Sequence, residues 1–87
     1  MQIEMAHLRD QGIDFAVFNA DATNRSDADR RVLLGRLMGT ARRSGLKVDK
    51  AALAFEEFGE IRFFGASDLV RYLASRGVPR WTRRLDI

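Results

Sequence analysis

The chain lacks several residue types on which common kinds of function depend. None of its 87 residues is a cysteine, so disulfides, thiolate metal ligands and cysteine nucleophiles are excluded. Its one histidine, His7, has no nearby nucleophile or oriented partner with which to perform acid–base catalysis. The sequence also has no phosphate-binding glycine loop, zinc-ligand spacing or calcium-loop pattern. We therefore expect no catalytic residues, no metal site and no cofactor, and we predict that the protein is not an enzyme.

Long apolar runs are missing as well. No run approaches the roughly 20 residues that a membrane-spanning helix needs. The first residues, Met1-Gln2-Ile3-Glu4, have neither the basic start nor the apolar segment of a signal peptide. Hydrophobic residues make up 46% of the chain and charged residues 31%, which is an ordinary globular balance. We expect one soluble, cytoplasmic domain spanning residues 1–87, of the size and composition of an accessory bacterial protein.

Two helices are predicted from capping residues and apolar periodicity. Ser26 is a typical N-cap, and Gly45 is a typical helix end, so the longer helix should cover residues 27–44. Its apolar positions recur at i, i+3, i+4 and i+7, as Leu34, Leu37, Met38 and Ala41. Ser67 and Gly77 delimit a second, shorter helix in the same way.

Two hairpins and a closing strand account for much of the remaining chain. Residues 3–18 predict a first hairpin that turns at Gly12 and pairs His7 with Phe15, with a short helix over residues 2–10 as the alternative. Residues 51–66 predict a second hairpin, with Gly59-Glu60 at the centre of the turn.

The register of the second hairpin follows from a choice between two turns. A turn centred on Gly59 and Glu60 pairs Phe55 with Phe64. A turn one residue earlier would place Glu57 opposite Glu60, and like charges repel across a strand pair. We therefore predict the first register.

The resulting order of elements is ββαββαβ, or the ferredoxin-like βαββαβ if the first segment is not a strand. Either order belongs to the α+β class. We predict one small domain with an antiparallel or mixed sheet of four to five strands. We further predict that both helices cover the same face of this sheet.

Phenylalanines on the second hairpin point to both faces of the predicted sheet. Phe58 and Phe63 should lie on one face, and Phe55 and Phe64 on the other. If both helices cover one face, the opposite face is open for binding. Its occupant would be a second copy of the chain, another protein, or stacked bases of single-stranded nucleic acid.

Basic charge is concentrated in two segments. Residues 30–50 carry a net charge of +6 and residues 71–87 a net charge of +4, whereas residues 1–29 and 51–70 are acidic. If the basic segments are neighbours in space, they form one anion-binding surface. Its candidate residues are Arg36, Arg42, Arg43, Arg80, Trp81, Arg83 and Arg84. Gly35 and Gly39 lie on the same side of the first helix, where their small size would allow another backbone to approach closely.

These patterns favour a non-enzymatic interaction or regulatory protein. We expect it to form a homodimer or to bind another protein through an apolar sheet face. The alternative is nucleic-acid binding through the arginine-rich surface, with a small enzyme ranking below both. Phosphate would be repelled from the second hairpin by Glu56, Glu57 and Glu60, so the sequence favours the protein partner.

Overall fold

The computed structural model describes residues 2–8, 15–76 and 83–86, and for the first and last of these ranges it describes the backbone alone. The elements are β1 (Gln2–Leu8), β2 (Phe15–Asn19), α1 (Asp27–Arg43), β3 (Lys50–Glu57), β4 (Glu60–Gly65), α2 (Ser67–Arg76) and β5 (Arg83–Asp86). The strands lie in the order β4-β3-β2-β1-β5. β2 and β3 run parallel, and the other neighbouring strands run antiparallel.

The α+β class is confirmed. Two helices pack on a mixed sheet, in which β2, β3 and β4 are the three strands with described side chains. The predicted total of four to five strands is not confirmed, because only the backbone is described for β1 and β5. No helix in the described ranges has both the length and the apolar character needed to cross a membrane.

The longer helix, α1, forms where its sequence predicts it. Its first turn is capped by Ser26, whose Oγ accepts a hydrogen bond of 3.1 Å from the backbone N–H of Asp29. At the other end Gly45 adopts a φ of +88°. The backbone N–H of Leu46 then donates to the carbonyl of Ala41 at 3.1 Å, which closes a Schellman motif. Each end is therefore fixed by residues within a few positions of it.

The two helices lie on opposite faces of the sheet, so the prediction that both cover one face is wrong. On one face, Leu33 and Leu37 of α1 pack in a core with Ala16, Phe18, Ala51, Leu53 and Phe55. On the other face, Leu69 and Leu73 of α2 pack in a core with Phe15, Val17, Ala52 and Ala54.

The cause lies in β2 and β3, which are apolar at successive positions. All residues from 15 to 18 and from 51 to 55 are buried, so both faces of these strands need a cover. α1 connects the parallel strands β2 and β3 across one face. In the sequence, α2 follows β4 and precedes β5, which lie at opposite edges of the sheet, and it covers the second face.

The second hairpin adopts the register that the sequence analysis rejected. Glu57 pairs with Glu60, and Leu53 pairs with Phe64. The turn is centred on Phe58 and Gly59, whose φ angles of +53° and +78° are both positive, as in a type I′ turn. Because this register differs from the predicted one by two residues, each side chain keeps its predicted face of the sheet.

The predicted like-charge conflict is relieved by two arginines. Glu57 is 3.5 Å from a guanidinium nitrogen of Arg30, and Glu60 is 3.6 Å from one of Arg62. Each carboxylate therefore has its own cation, and the repulsion that argued against this register is reduced.

The register of the first hairpin also differs from its prediction. His7 pairs with Ala16 instead of Phe15, a shift of one residue. The predicted turn at Gly12 lies outside the described residues, as do Gly77 and Trp81.

Candidate interaction surface

The four phenylalanines that were predicted to mark a partner surface are separated by the fold. Phe55 is buried beneath α1, with 4% of its surface exposed. Phe64 is partly buried against the same core, whereas Phe63 is partly buried against the core under α2. Phe58 lies in the β3–β4 turn and is 91% exposed. The open sheet face on which that prediction depended is covered by α2, and only the turn remains as an exposed aromatic position.

Phe58 has an exposed apolar neighbour on β4. Ile61 is 55% exposed and lies three residues farther along the chain, just inside the strand. Residues 58–61 are called the hairpin tip below. Among the described residues, Val32 on α1 is the other large hydrophobic residue with high exposure. The hairpin tip thus contains two of the three exposed large hydrophobic residues in the described part of the chain.

The conformation of Phe58 is unfavourable for its residue type. Its φ of +53° lies in the left-handed region, which costs a residue with a Cβ roughly 1–2 kcal/mol. Type I′ turns prefer Asn-Gly at their centre, because asparagine tolerates this region better than other non-glycine residues. A phenylalanine here neither favours the turn nor fills the core. Its identity is therefore not explained by the folding of the described part of the chain.

Arg30 holds the base of the hairpin from α1. Its guanidinium lies 4.5 Å from the centroid of the Phe55 ring, a cation–π distance. Its Nε donates to the carbonyl of Ala22 at 3.2 Å, while its Nη atoms reach carboxylates of Asp27 and Glu57 at 3.1 and 3.5 Å. The Arg30 side chain is only 15% exposed, so solvent screens these contacts less than it would on an open surface.

A second contact joins the loop after β2 to the same hairpin. Thr23 Oγ1 donates to the backbone carbonyl of Glu56 at 2.8 Å. The next residue, Asn24, also has a positive φ, of +63°. Between loop and hairpin lies an open recess of about 660 Å³, lined by Thr23, Asn24, Arg30, Glu56, Glu57 and Phe58. The hairpin tip therefore projects from a fixed base, with a polar recess beside its aromatic ring.

The predicted basic surface is divided in the structure. Arg36 is exposed on α1, Arg42 donates to the carbonyl of Val48 at 2.9 Å, and Arg43 donates to Thr40 Oγ1 at 3.2 Å. Arg83 and Arg84 lie in β5, at the sheet edge opposite β4, whereas α1 contacts β3 and β4. Arg80 and Trp81 lie outside the described residues. The described parts of the two basic segments thus lie over different regions of the sheet.

A groove runs beside α1 on its basic side. Its volume is about 520 Å³, and its charged lining residues are Arg25, Asp29, Arg36 and Arg43. Gly35 and Gly39 also line it, and a Cβ built on Gly35 would meet nothing within 4 Å. Packing within the described chain therefore does not require a glycine at position 35.

Two residues of the hairpin-tip site were not identified from sequence. Arg30 belongs to a basic run, and its contacts with the hairpin could not be identified locally, because apart from Asp27 its partners lie 8 to 27 residues away. The predicted turn at Gly59 and Glu60 would place Ile61 next to the turn, opposite Phe58, whereas the observed register places it in β4 opposite Glu56. The one local signal was Gly59, which suits the second of the two positive-φ positions of a type I′ turn.

No family model, curated protein or solved structure matches this chain. Within the described ranges, no group of three or more histidine or acidic side chains is placed to hold a metal ion. What the hairpin tip offers is apolar contact from Phe58 and Ile61, together with the backbone groups of an edge strand.

Proposed function

We propose that this protein is a non-enzymatic interaction protein that binds a protein partner through the hairpin tip and the adjoining edge of β4. The observation that carries the proposal is Phe58, which combines 91% exposure with a left-handed backbone conformation. A residue that costs stability and contributes nothing to the core is typical of a contact retained for binding.

The surroundings of Phe58 suit the binding of a partner. Aromatic side chains contribute strongly to protein–protein affinity when a partner buries them. Arg30 and Thr23 fix the base of the hairpin, so less conformational entropy is lost when the tip is bound. Charges of both signs surround the apolar pair, as at the polar rim of an interface.

The experiment that tests this proposal places a photo-crosslinking amino acid at position 58. Benzoylphenylalanine retains the aromatic character of Phe58, and the same group at Ala74, an exposed position on α2, provides the matched control. We expect polypeptide adducts from position 58 after irradiation of cells that natively contain the protein, and none from position 74. Absence of adducts at position 58, or adducts with nucleic acid alone, would contradict the proposal.

Nucleic-acid binding is the second candidate function. It is favoured by the groove beside α1, which Arg25, Arg36 and Arg43 line together. If the groove contacts a phosphate backbone, affinity for single-stranded oligonucleotides should fall steeply with salt, and Arg36→Ala should reduce that slope. Binding that is absent at low salt and high protein concentration would remove this candidate.

A further inference from the structure

Within the part of the chain that the structure describes, β4 has unpaired backbone groups along one side. Among the described strands it has a neighbour on one side only, because it lies at the end of the sheet. In a two-residue hairpin the residues that flank the turn form a hydrogen-bonded pair, here Glu57 and Glu60. The backbone groups of Arg62 then also point toward β3, whereas those of Ile61 and Phe63 point to the free edge. This edge can accept another extended strand.

The side chains next to Ile61 make this edge complementary to itself. Glu60 precedes Ile61 and Arg62 follows it, so a two-fold axis at Ile61 places each charge opposite its counterion. In the single chain the two side chains contact each other at 3.6 Å and are largely exposed, so they can change partner at little cost.

We propose that the partner of the hairpin tip is a second copy of this chain, which pairs antiparallel with the first along β4. Ile61 lies opposite Ile61 of the second copy, and Glu60 of each copy lies opposite Arg62 of the other. The same register brings the Phe58-Gly59 turn of each copy beside the last residues of β4 in the other, so Phe58 also lies close to the second copy. This inference rests on the proposed function, because it names the partner of the same surface.

The charges select this register over its neighbour. Moving the second copy by two residues would keep the outward backbone groups in phase, but it would place Arg62 opposite Arg62. Like charges directly opposite each other destabilise a strand pair. The register centred on Ile61 is therefore favoured, because it forms two Glu60–Arg62 ion pairs, whereas the shifted register places two Arg62 side chains against each other.

Charge reversal tests the pairing. We expect the unmodified protein to sediment as a dimer at micromolar concentration. Either Glu60→Arg or Arg62→Glu should raise the dissociation constant about tenfold, because each turns two attractions into two repulsions. An equimolar mixture of the two variants should form heterodimers with restored affinity, since every opposed pair is again of opposite sign. Mass-tagged variants distinguish the heterodimer from homodimers by native mass spectrometry.

A backbone variant tests the edge independently of charge. Ile61→Pro removes an N–H that points away from β3, so the hairpin keeps its ladder while the free edge loses a donor. We expect a folded monomer with an unchanged circular dichroism spectrum. If this variant fails to fold, Ile61→Lys replaces it, because an edge lysine opposes lysine of the second copy.

The outcomes separate this inference from the proposed function. If the unmodified protein stays monomeric at about 100 μM, its dissociation constant is on the order of millimolar or weaker, and the inference is overturned. Single variants that dimerise as well as the unmodified protein, or a mixture without rescue, also overturn it. If position 58 crosslinks to a different polypeptide while the protein is monomeric, the inference fails and the proposed function stands. If the charge-swap mixture is rescued but position 58 gives no adduct in cells, the chain pairs along β4 in vitro, but the hairpin tip has no polypeptide partner in cells and the proposed function fails.

Discussion

The base and the tip of the β3–β4 hairpin contain the same residue type in opposite environments. Phe55 is 4% exposed and Phe58 is 91% exposed, although only two residues separate them. At the base, Arg30 and α1 cover the ring; at the tip, no described element does. The difference shows that an apolar residue on a hairpin is buried in the core or left exposed according to what lies over it.

The largest effect should come from truncation of the base. Phe55→Ala removes a buried ring and should lower the free energy of unfolding by about 3–5 kcal/mol, whereas Phe58→Ala should change it by about 0.5 kcal/mol or less. Urea titration followed by circular dichroism measures both values. If the two variants lost similar stability, the comparison between base and tip would fail. Phe55→Leu, with a smaller loss, provides a measurable value if the alanine variant does not fold.

Removal of the Arg30 side chain should have the next largest effect. Arg30→Ala deletes the cation–π contact and leaves the carbonyl of Ala22 and the carboxylate of Glu57 without this donor, which should cost about 1–3 kcal/mol. Hydrogen exchange should quicken in the turn at residues 58–59 more than in α2. Arg30→Lys should restore little, because an ammonium group cannot reproduce the planar contacts. Unchanged exchange in the turn would show that Arg30 does not fix the tip.

The smallest effect should come from an ion pair at the start of β3, far from the turn in the chain. Lys50 contacts Asp68 of α2, and this hydrogen bond lowers the pKa of the Asp68 carboxyl below its ordinary value of 3.8. A carboxyl with a lowered pKa in the folded state stabilises that state above its ordinary pKa, and this contribution is lost as pH falls through the folded value.

Asp68→Asn should therefore lower the unfolding midpoint slightly at pH 7 and by less at a pH well below the ordinary value of 3.8. Association through the tip should not change at either pH relative to the unmodified protein. Thermal scans at both pH values measure the first effect, and sedimentation measures the second. An equal loss at both pH values would indicate a packing role for Asp68 instead of an electrostatic one.

Elements with local causes were predictable from the sequence. α1 follows from Ser26, Gly45 and an apolar stripe, and all of these lie within or beside the helix. The side on which α2 packs was not predicted, because it depends on how the chain crosses the sheet. The overlooked signal was the uninterrupted apolar run from Ala51 to Phe55, which indicates a strand that is covered on both faces.

Of the candidate site, Phe58 was predicted from the sequence, but as a residue on a sheet face. Phe58 was named as one of four phenylalanines divided between the two faces of the predicted sheet, one of which was expected to be open, but it belongs to a turn. The error came from weighing the repulsion between Glu57 and Glu60 without the arginines that neutralise them. Arg30 is 27 residues from Glu57 in sequence, so no short-range pattern contains this contact.

The central claim is that Phe58 serves binding and opposes stability, and the free energy of unfolding of Phe58→Asn tests it most directly. Asparagine fits the left-handed position of a type I′ turn and exposes no apolar ring. We predict that this substitution raises the free energy of unfolding of the protein at dilute, monomeric concentration by about 0.5–1 kcal/mol. A fall of the same size would show that the Phe58 ring supports the fold, and it would contradict the account.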